Sequence, residues 1–190
     1  MSRKLEIQTA AQRLFKKHGY AVASMRDIAS EMDMEAASLY NHVESKEEIL
    51  YNICFGLANK LNNAIEEVND IYFNSEEKLR MAVKFHIETL CEDLDAAYVF
   101  VHDWKYLTGQ ALKDFKASRD MYENGIRTIV EGGEKEGLFE ENNKGFATLT
   151  ILSSLNWIVE WYKTEGRLSP KEIAEKLSDF ILTGLKKEKL

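Results

Sequence analysis

Ser24-Met25-Arg26-Asp27-Ile28-Ala29-Ser30-Glu31 and, a few residues on, Ser38-Leu39-Tyr40-Asn41-His42-Val43-Glu44-Ser45-Lys46-Glu47-Glu48-Ile49-Leu50 are the stretches whose reading decides the fold. Ser24 is placed to N-cap a short helix with Asp27 as its acidic partner three residues later, and Met25, Ile28, Ala29 and Met32 form the inner face. That helix is predicted to end near Met32, followed by a tight connection at Asp33-Met34. A third short helix from Glu35 to His42 turns Leu39 inward and leaves Ala36, Ser38, Tyr40 and Asn41 for other surfaces. Ser45-Lys46-Glu47-Glu48 reads as a capping box, Ser45 at N-cap and Glu48 at N3, opening a long helix through Ile49, Leu50, Ile53, Leu57 and Leu61.

Outward from this core, residues 3 to 18 place Ile7, Ala10, Ala11, Leu14 and Phe15 on one helical stripe, and Gly19 stops it. Toward the C-terminus, Ser75 is expected to cap a fifth helix running to about Asp93. Ala96 to Leu107 reads as an aromatic-rich sixth, and a seventh continues to about Glu136. Gly137 sits where a left-handed terminating residue is wanted, and Gly132-Gly133 is expected to fray or kink the last turn. The apolar run Phe146 to Tyr162 reads as a buried eighth helix. Ser169-Pro170-Lys171-Glu172 supplies an N-cap, a proline at the first helical position and an N3 glutamate for a ninth, with Ile173, Leu177, Phe180 and Ile181 on one broad apolar face.

Composition agrees with an all-α chain: one proline and ten glycines in 190 residues leave little material for hairpins, while 45% hydrophobic and 30% charged residues suffice for a globular core. Cys54 and Cys91 stand alone, in neither a CxxC pair nor a disulfide framework, and Met1-Ser2-Arg3-Lys4 leads directly into helix one, so a reducing cytoplasm is expected. The 146 to 162 run contains Ser153, Ser154, Asn156 and Glu160 and is too polar to span a bilayer, so no membrane partner is expected.

The net charge of -7 argues against coating nucleic acid by electrostatics alone. Residues 1 to 50 are not basic overall. Their first seventeen carry Arg3, Lys4, Arg13, Lys16 and Lys17 against Glu6, a local net of +4 that suits a phosphate-facing patch. An enzyme needs converging chemistry that the spacing withholds. His86 and Glu88 are two apart and do not share a helical face, Cys91 and the His102-Asp103 pair lie elsewhere, and no HExxH, ExxH or GxSxG occurs. Gly132, Gly133 and Gly137 do not follow a strand and are no phosphate loop. Neither metal nor cofactor is expected, and a helical metal-dependent enzyme is the remote alternative.

A packing helix followed by two short helices has the parts of a helix-turn-helix, whose second helix enters the major groove. The two quoted stretches, with Leu14-Phe15 and Gly19-Tyr20 of helix one, closely resemble the DNA-binding domain of the TetR family over residues 3 to 50. The resemblance implies a nine-helix architecture: residues 1–47 as the helix-turn-helix domain and 48–190 as a helical ligand-binding and dimerisation domain. It assigns Ser38, Tyr40 and Lys46 to phosphates, with the N-terminal amides of helix four facing the same strand. Arg26 is placed with the DNA-contacting set. Base reading falls to Glu35, Ala36, Ala37, Asn41 and His42 on the outer surface of helix three, where asparagine can pair with adenine and alanine can meet a thymine methyl. Where the family usually has glycine in the turn, this chain has Asp33, which tolerates the left-handed region better than most residues.

The resemblance further implies a homodimer through the last two helices, holding two recognition helices about 34 Å or somewhat more apart on a palindromic operator. Arg119-Asp120-Met121-Tyr122, Glu136-Gly137-Leu138-Phe139, Asn156-Trp157, Trp161-Tyr162 and Leu168-Ser169-Pro170 look, more loosely, like the acyl-CoA-responsive branch that controls fatty-acid and steroid breakdown. On that reading an effector pocket is lined by His86, Phe100, Trp104, Arg119, Tyr122, Ile126, Leu152, Asn156 and Trp157, with Arg119 or Lys105 meeting the phosphates or the thioester end. The alternative effector is a different hydrophobic small molecule, as for a regulator of efflux genes.

Overall fold

The computed structural model describes residues 2–141 and 144–186, and its regular elements there are helices. They are α1 (Arg3–His18), α2 (Met25–Glu31), α3 (Ala36–Leu39), α4 (Lys46–Asp70), α5 (Ser75–Glu92), α6 (Leu94–His102), a 3-10 turn (Trp104–Tyr106), α7 (Gly109–Lys135), α8 (Lys144–Asn156), α9 (Ile158–Trp161) and α10 (Pro170–Leu185). The expected all-α architecture holds. The single eighth helix of the sequence reading is two, because the chain breaks at Trp157. Among the described residues no helix is long and apolar enough to cross a membrane.

The chain divides into two compact units, residues 1–58 with 93–117, and residues 59–92 with 118–190. The border expected at 47/48 thus falls within the first unit. The reason is packing: α1 lies against α6 as well as α2, so the core of Ile7, Phe15, Ile28, Leu39 and Leu50 continues into Val99 and Phe115. α4 and α7 each contribute residues to both units. In the second unit α5 packs along α10, and α8 and α9 also contact α5.

Local chemistry sets most of the ends. Ser24 and Asp27 form a capping box, as do Ser169 and Glu172 ahead of Pro170. The α5 cap is one residue earlier than expected: Asn74 Oδ1 accepts from the Glu77 amide (3.0 Å) and Glu77 accepts from the Asn74 amide (3.1 Å). Ser75, freed from capping, donates its hydroxyl to Glu136, in the turn just after α7 (3.0 Å). Gly132 and Gly133 do not end α7 in the expected frayed turn, since the helix runs through them to Lys135. Gly133 instead lies under the Phe139 ring, where a Cβ has no room, and Gly137 takes φ +73° to turn the chain back onto it.

The apolar 146 to 162 run is not the buried helix expected from its composition. Ile151, Leu155, Ile158 and Val159 face the core, but Phe146, Leu149, Trp157 and Trp161 are exposed in the single chain. Trp157 and Trp161, with Leu168 and with Ile173, Leu177 and Phe180 of α10, line an apolar groove.

Candidate nucleic-acid interface

The helix-turn-helix is built by short-range bonds. After α2 the amides of Met32 and Met34 both return to the Ala29 carbonyl (3.1 and 2.9 Å), while Asp33 N–H bonds the Ser30 carbonyl (3.2 Å). Asp33 adopts φ +53° and is the non-glycine residue with positive φ among those described. This is the left-handed turn position where the resemblance expects glycine, and aspartate carries a modest steric cost there. Asp33→Gly is therefore expected to raise stability, by roughly 0.5–1 kcal/mol. A urea titration checks it: an unchanged or lower midpoint would mean the Asp33 side chain compensates the strain.

α3 is shorter than the expected Glu35 to His42. Only Ala36–Leu39 is α-helical, and the winding continues as turns through the Asn41, His42 and Val43 amides. Leu39 is fully buried and anchors the segment. Around it Glu35, Ala37, Tyr40, Asn41 and His42 are exposed, and Ala36 and Ser38 are half-buried. Arg26 on α2 is exposed too. The proposed base-reading and phosphate residues of this segment are thus on one short, outward-turned piece of chain, free of the core that Leu39 and Val43 hold.

Lys46, which the resemblance assigns to a phosphate, has protein partners of its own. Its ammonium donates to the carbonyls of Tyr20 and Ala23, both at 2.8 Å, and lies 4.3 Å from the Tyr20 ring centre. It clamps the connection between α1 and α2 to the start of α4, leaving one N–H donor for a phosphate. No signal in the local sequence could show this, because the partner carbonyls lie more than twenty residues away. The α4 cap also closes differently from a simple Ser45/Glu48 box. Ser45 Oγ accepts from the Glu48 amide (3.1 Å), but the Glu48 carboxylate takes the Glu44 amide (2.6 Å) and the Lys4 ammonium (2.6 Å). Those bonds, Lys4 first, hold the Glu48 carboxyl below its ordinary range.

Electrostatically the basic patch on α1 is partly neutralised. Arg3 pairs with Glu6, Lys4 with Glu48, and Lys16 with Asp95. Each is an exposed pair of small energetic value that a phosphate can compete for.

The nine residues expected to line an effector pocket are divided between the two units. Phe100 and Trp104 belong to the first unit, where both rings pack on Phe115 with centroids 5.8 and 5.9 Å away. They are there because α6 closes the α1 core. The other seven are in the second unit. His86 is buried and pairs with Tyr122 at 2.9 Å, Ile126 is buried, and Leu152 and Asn156 are half-buried. Arg119 is exposed on α7. Trp157, 64% exposed, lines the outer groove beside Phe180 instead.

A model of the "Bacterial regulatory proteins, tetR family" matches residues 7–53, and one of the "Tetracyclin repressor-like, C-terminal domain" matches residues 73–185. The chain belongs to the TetR family. Its relatives include the HTH-type transcriptional repressor KstR2 of Rhodococcus jostii (strain RHA1), 24% identical over 96% of this chain and 91% of that protein. Among solved structures, the TetR family transcriptional regulator PfmR from Thermus thermophilus superposes with TM-score 0.84 at 31% identity, covering 95% of this chain and 99% of that one. The structure of AibR in complex with isovaleryl coenzyme A and operator DNA does so with TM-score 0.81 at 25% identity, covering 97% and 98%. TetR-family proteins and these relatives are transcriptional regulators, not enzymes, and the present chain is a DNA-binding regulator of that kind with its helix-turn-helix at Met25–Leu39.

Proposed function

We propose that this TetR-family chain is a cytoplasmic repressor that binds a palindromic operator as a homodimer and is released by a hydrophobic effector, an acyl-CoA. The observation that carries the DNA-binding part is the outward face of Glu35, Ala37, Tyr40, Asn41 and His42, left exposed while Leu39 is fully buried. Tyr40 and Ser38 contact phosphates and set register, Arg26 adds a phosphate contact from α2, and Asn41, with Glu35, Ala36, Ala37 and His42, reads base edges. Dimerisation through α8, α9 and α10 is supported by the large apolar side chains this face exposes in a single chain. Two such faces related by a two-fold axis bury each other.

The acyl-CoA reading is supported by relatives: AibR is described bound to isovaleryl coenzyme A and operator DNA, and KstR2 is described as a ketosteroid transcriptional regulator. On this reading Arg119, exposed on α7, is the cation assigned to the coenzyme phosphates. An effector releases DNA only by binding better to a state in which the two recognition segments no longer match the groove. A different hydrophobic metabolite or drug is the second reading.

The residue roles separate in a binding experiment. Tyr40→Ala is expected to weaken every operator sequence alike, by about tenfold, with little change in the salt slope, because a neutral phenol displaces no counterion. Asn41→Ala is expected to change which base is preferred at one position in each half-site. Lys46→Met should lose operator affinity together with stability, because its carbonyl bonds go too. Altered base preference from Tyr40→Ala, or unchanged preference from Asn41→Ala, would reverse these assignments. The effector reading is tested by melting the protein with a long-chain acyl-CoA, the free fatty acid and CoA, each at equal excess. Stabilisation by acyl-CoA alone, about 2.7 kcal/mol at a hundred times the dissociation constant, is the expected result.

A further inference from the structure

Within the second unit, α5 and α7 hold a polar pair in an otherwise apolar interior. His86 is 1% exposed, among Val83, Ile87 and Leu90 of its own helix, and its Nδ1 lies 2.9 Å from the Tyr122 hydroxyl. A phenol can donate or accept, and with the Tyr122 hydroxyl donating to Nδ1 the imidazole proton sits on Nε2. That Nε2 is a buried atom left without a hydrogen-bond partner, and its polar neighbour is the Asn156 side chain at the end of α8, which acts against the effect of burial on the imidazole. One turn before Tyr122 on the same face of α7, Ser118 accepts from Asn62 of α4, at its Oγ (2.7 Å) and at its carbonyl (3.2 Å). The Oδ1 of Asn62 is left unpartnered. Native interiors seldom leave such atoms unmatched, and each one calls for an explanation.

We propose that His86, held in one tautomer by Tyr122, donates its Nε2 proton to a carbonyl oxygen of the effector, selecting an uncharged acyl group such as a thioester over a free carboxylate. This rests on the reading that the helical domain binds an apolar effector. An uncharged carbonyl needs one donor and can be buried beside it at little cost, whereas a carboxylate would need a counter-charge in the same interior. The imidazole does not supply one: burial pushes it down to about 4, so it is neutral near pH 7. The arginines of α7 lie beside carboxylates of their own helix. Arg127 is bonded to Glu123, and Arg119 is exposed beside Asp120 and Glu123. The same chemistry explains why a histidine stands where its helix otherwise presents aliphatic side chains. A neutral imidazole fixed by one hydrogen bond offers a single aimed donor without a buried charge.

Three probes with one chain length test it: dodecanoyl-CoA, the dodecyl-CoA thioether that lacks the carbonyl oxygen, and dodecanoate. Binding to the wild type is measured by calorimetry, with far-ultraviolet circular dichroism of each variant as the check on folding. The wild type is expected to bind the thioester at least tenfold more tightly than the thioether, and dodecanoate more weakly than either. His86→Leu is expected to bind thioester and thioether equally. Tyr122→Phe, which keeps the ring but not the hydroxyl, should shrink the preference to a few-fold. Equal binding of thioester and thioether by the wild type would overturn the carbonyl anchor while leaving the effector reading in place, and so would an undiminished preference in both variants. Binding of none of the three would overturn both.

Discussion

Replacing Trp157 and Phe180 together by glutamate is expected to give a folded monomer that no longer binds its operator. Both side chains are exposed in the single chain, 64% and 79%, so neither contributes much to the protomer's own core. Across a two-fold interface the double change removes four large aromatic groups, each worth about 1.5–3 kcal/mol when buried. It also sets four carboxylates in the contact, where desolvation costs several kcal/mol more unless they are paired. The neighbouring apolar positions Phe146, Leu149 and Trp161 cannot offset that. Sedimentation should show a halved mass with unchanged helix content, and operator affinity should fall at least a hundredfold because half-site binding loses its second head. A dimer that survives the double change would place the interface elsewhere.

The second large effect is in acid. Burial holds the His86 imidazole down to about 4 from its usual 6.5, so the folded state binds fewer protons than the unfolded chain in that window. Stability is then fully present above about pH 6.5 and is lost as pH falls toward 4. Between pH 7 and pH 5 the loss is about 2 kcal/mol. The carboxylates held below their ordinary range, Asp27, Glu48, Glu76 and Glu172, act in the same direction but in a window beginning at 4.5 and lower. Asp103, whose carboxyl burial raises, acts with the opposite sign. Comparison with His86→Leu isolates the imidazole: urea midpoints of the variant should change little from pH 7 to pH 5, while the wild type falls. Parallel profiles would show that His86 is hydrated or charged in the folded protein.

What was legible in the sequence was what local chemistry decides. Ser24 with Asp27, and Ser169 with Pro170 and Glu172, act within a few residues of themselves, and the structure has both caps as read. The left-handed Asp33 was implied by the family resemblance, which expects glycine at that position of the turn. The α5 cap slid from Ser75 to Asn74 because Ser75 meets Glu136, a partner about sixty residues on in the turn after α7, which no local pattern contains. Lys46 was readable as a cation at the head of α4 but not as a clamp on the Tyr20 and Ala23 carbonyls, for the same reason. Gly133 looked like a helix weakener, and only the packing of Phe139 shows that it is needed. For the effector residues, periodicity gave faces but not neighbours. His86 and Tyr122 do meet, while Phe100 and Trp104 serve the first unit's core and Trp157 turns to the outer groove.

The central claim, a two-headed reader of a symmetric operator, is tested most directly by selecting bound duplexes from a random pool with the purified protein and titrating the winners against salt. The expected result is enrichment of one palindromic sequence with half-sites about 10 base pairs apart or somewhat more, bound by a dimer, with affinity falling steeply as salt rises. Failure to enrich any sequence, or enrichment of a single unpaired half-site bound by one chain, would contradict it.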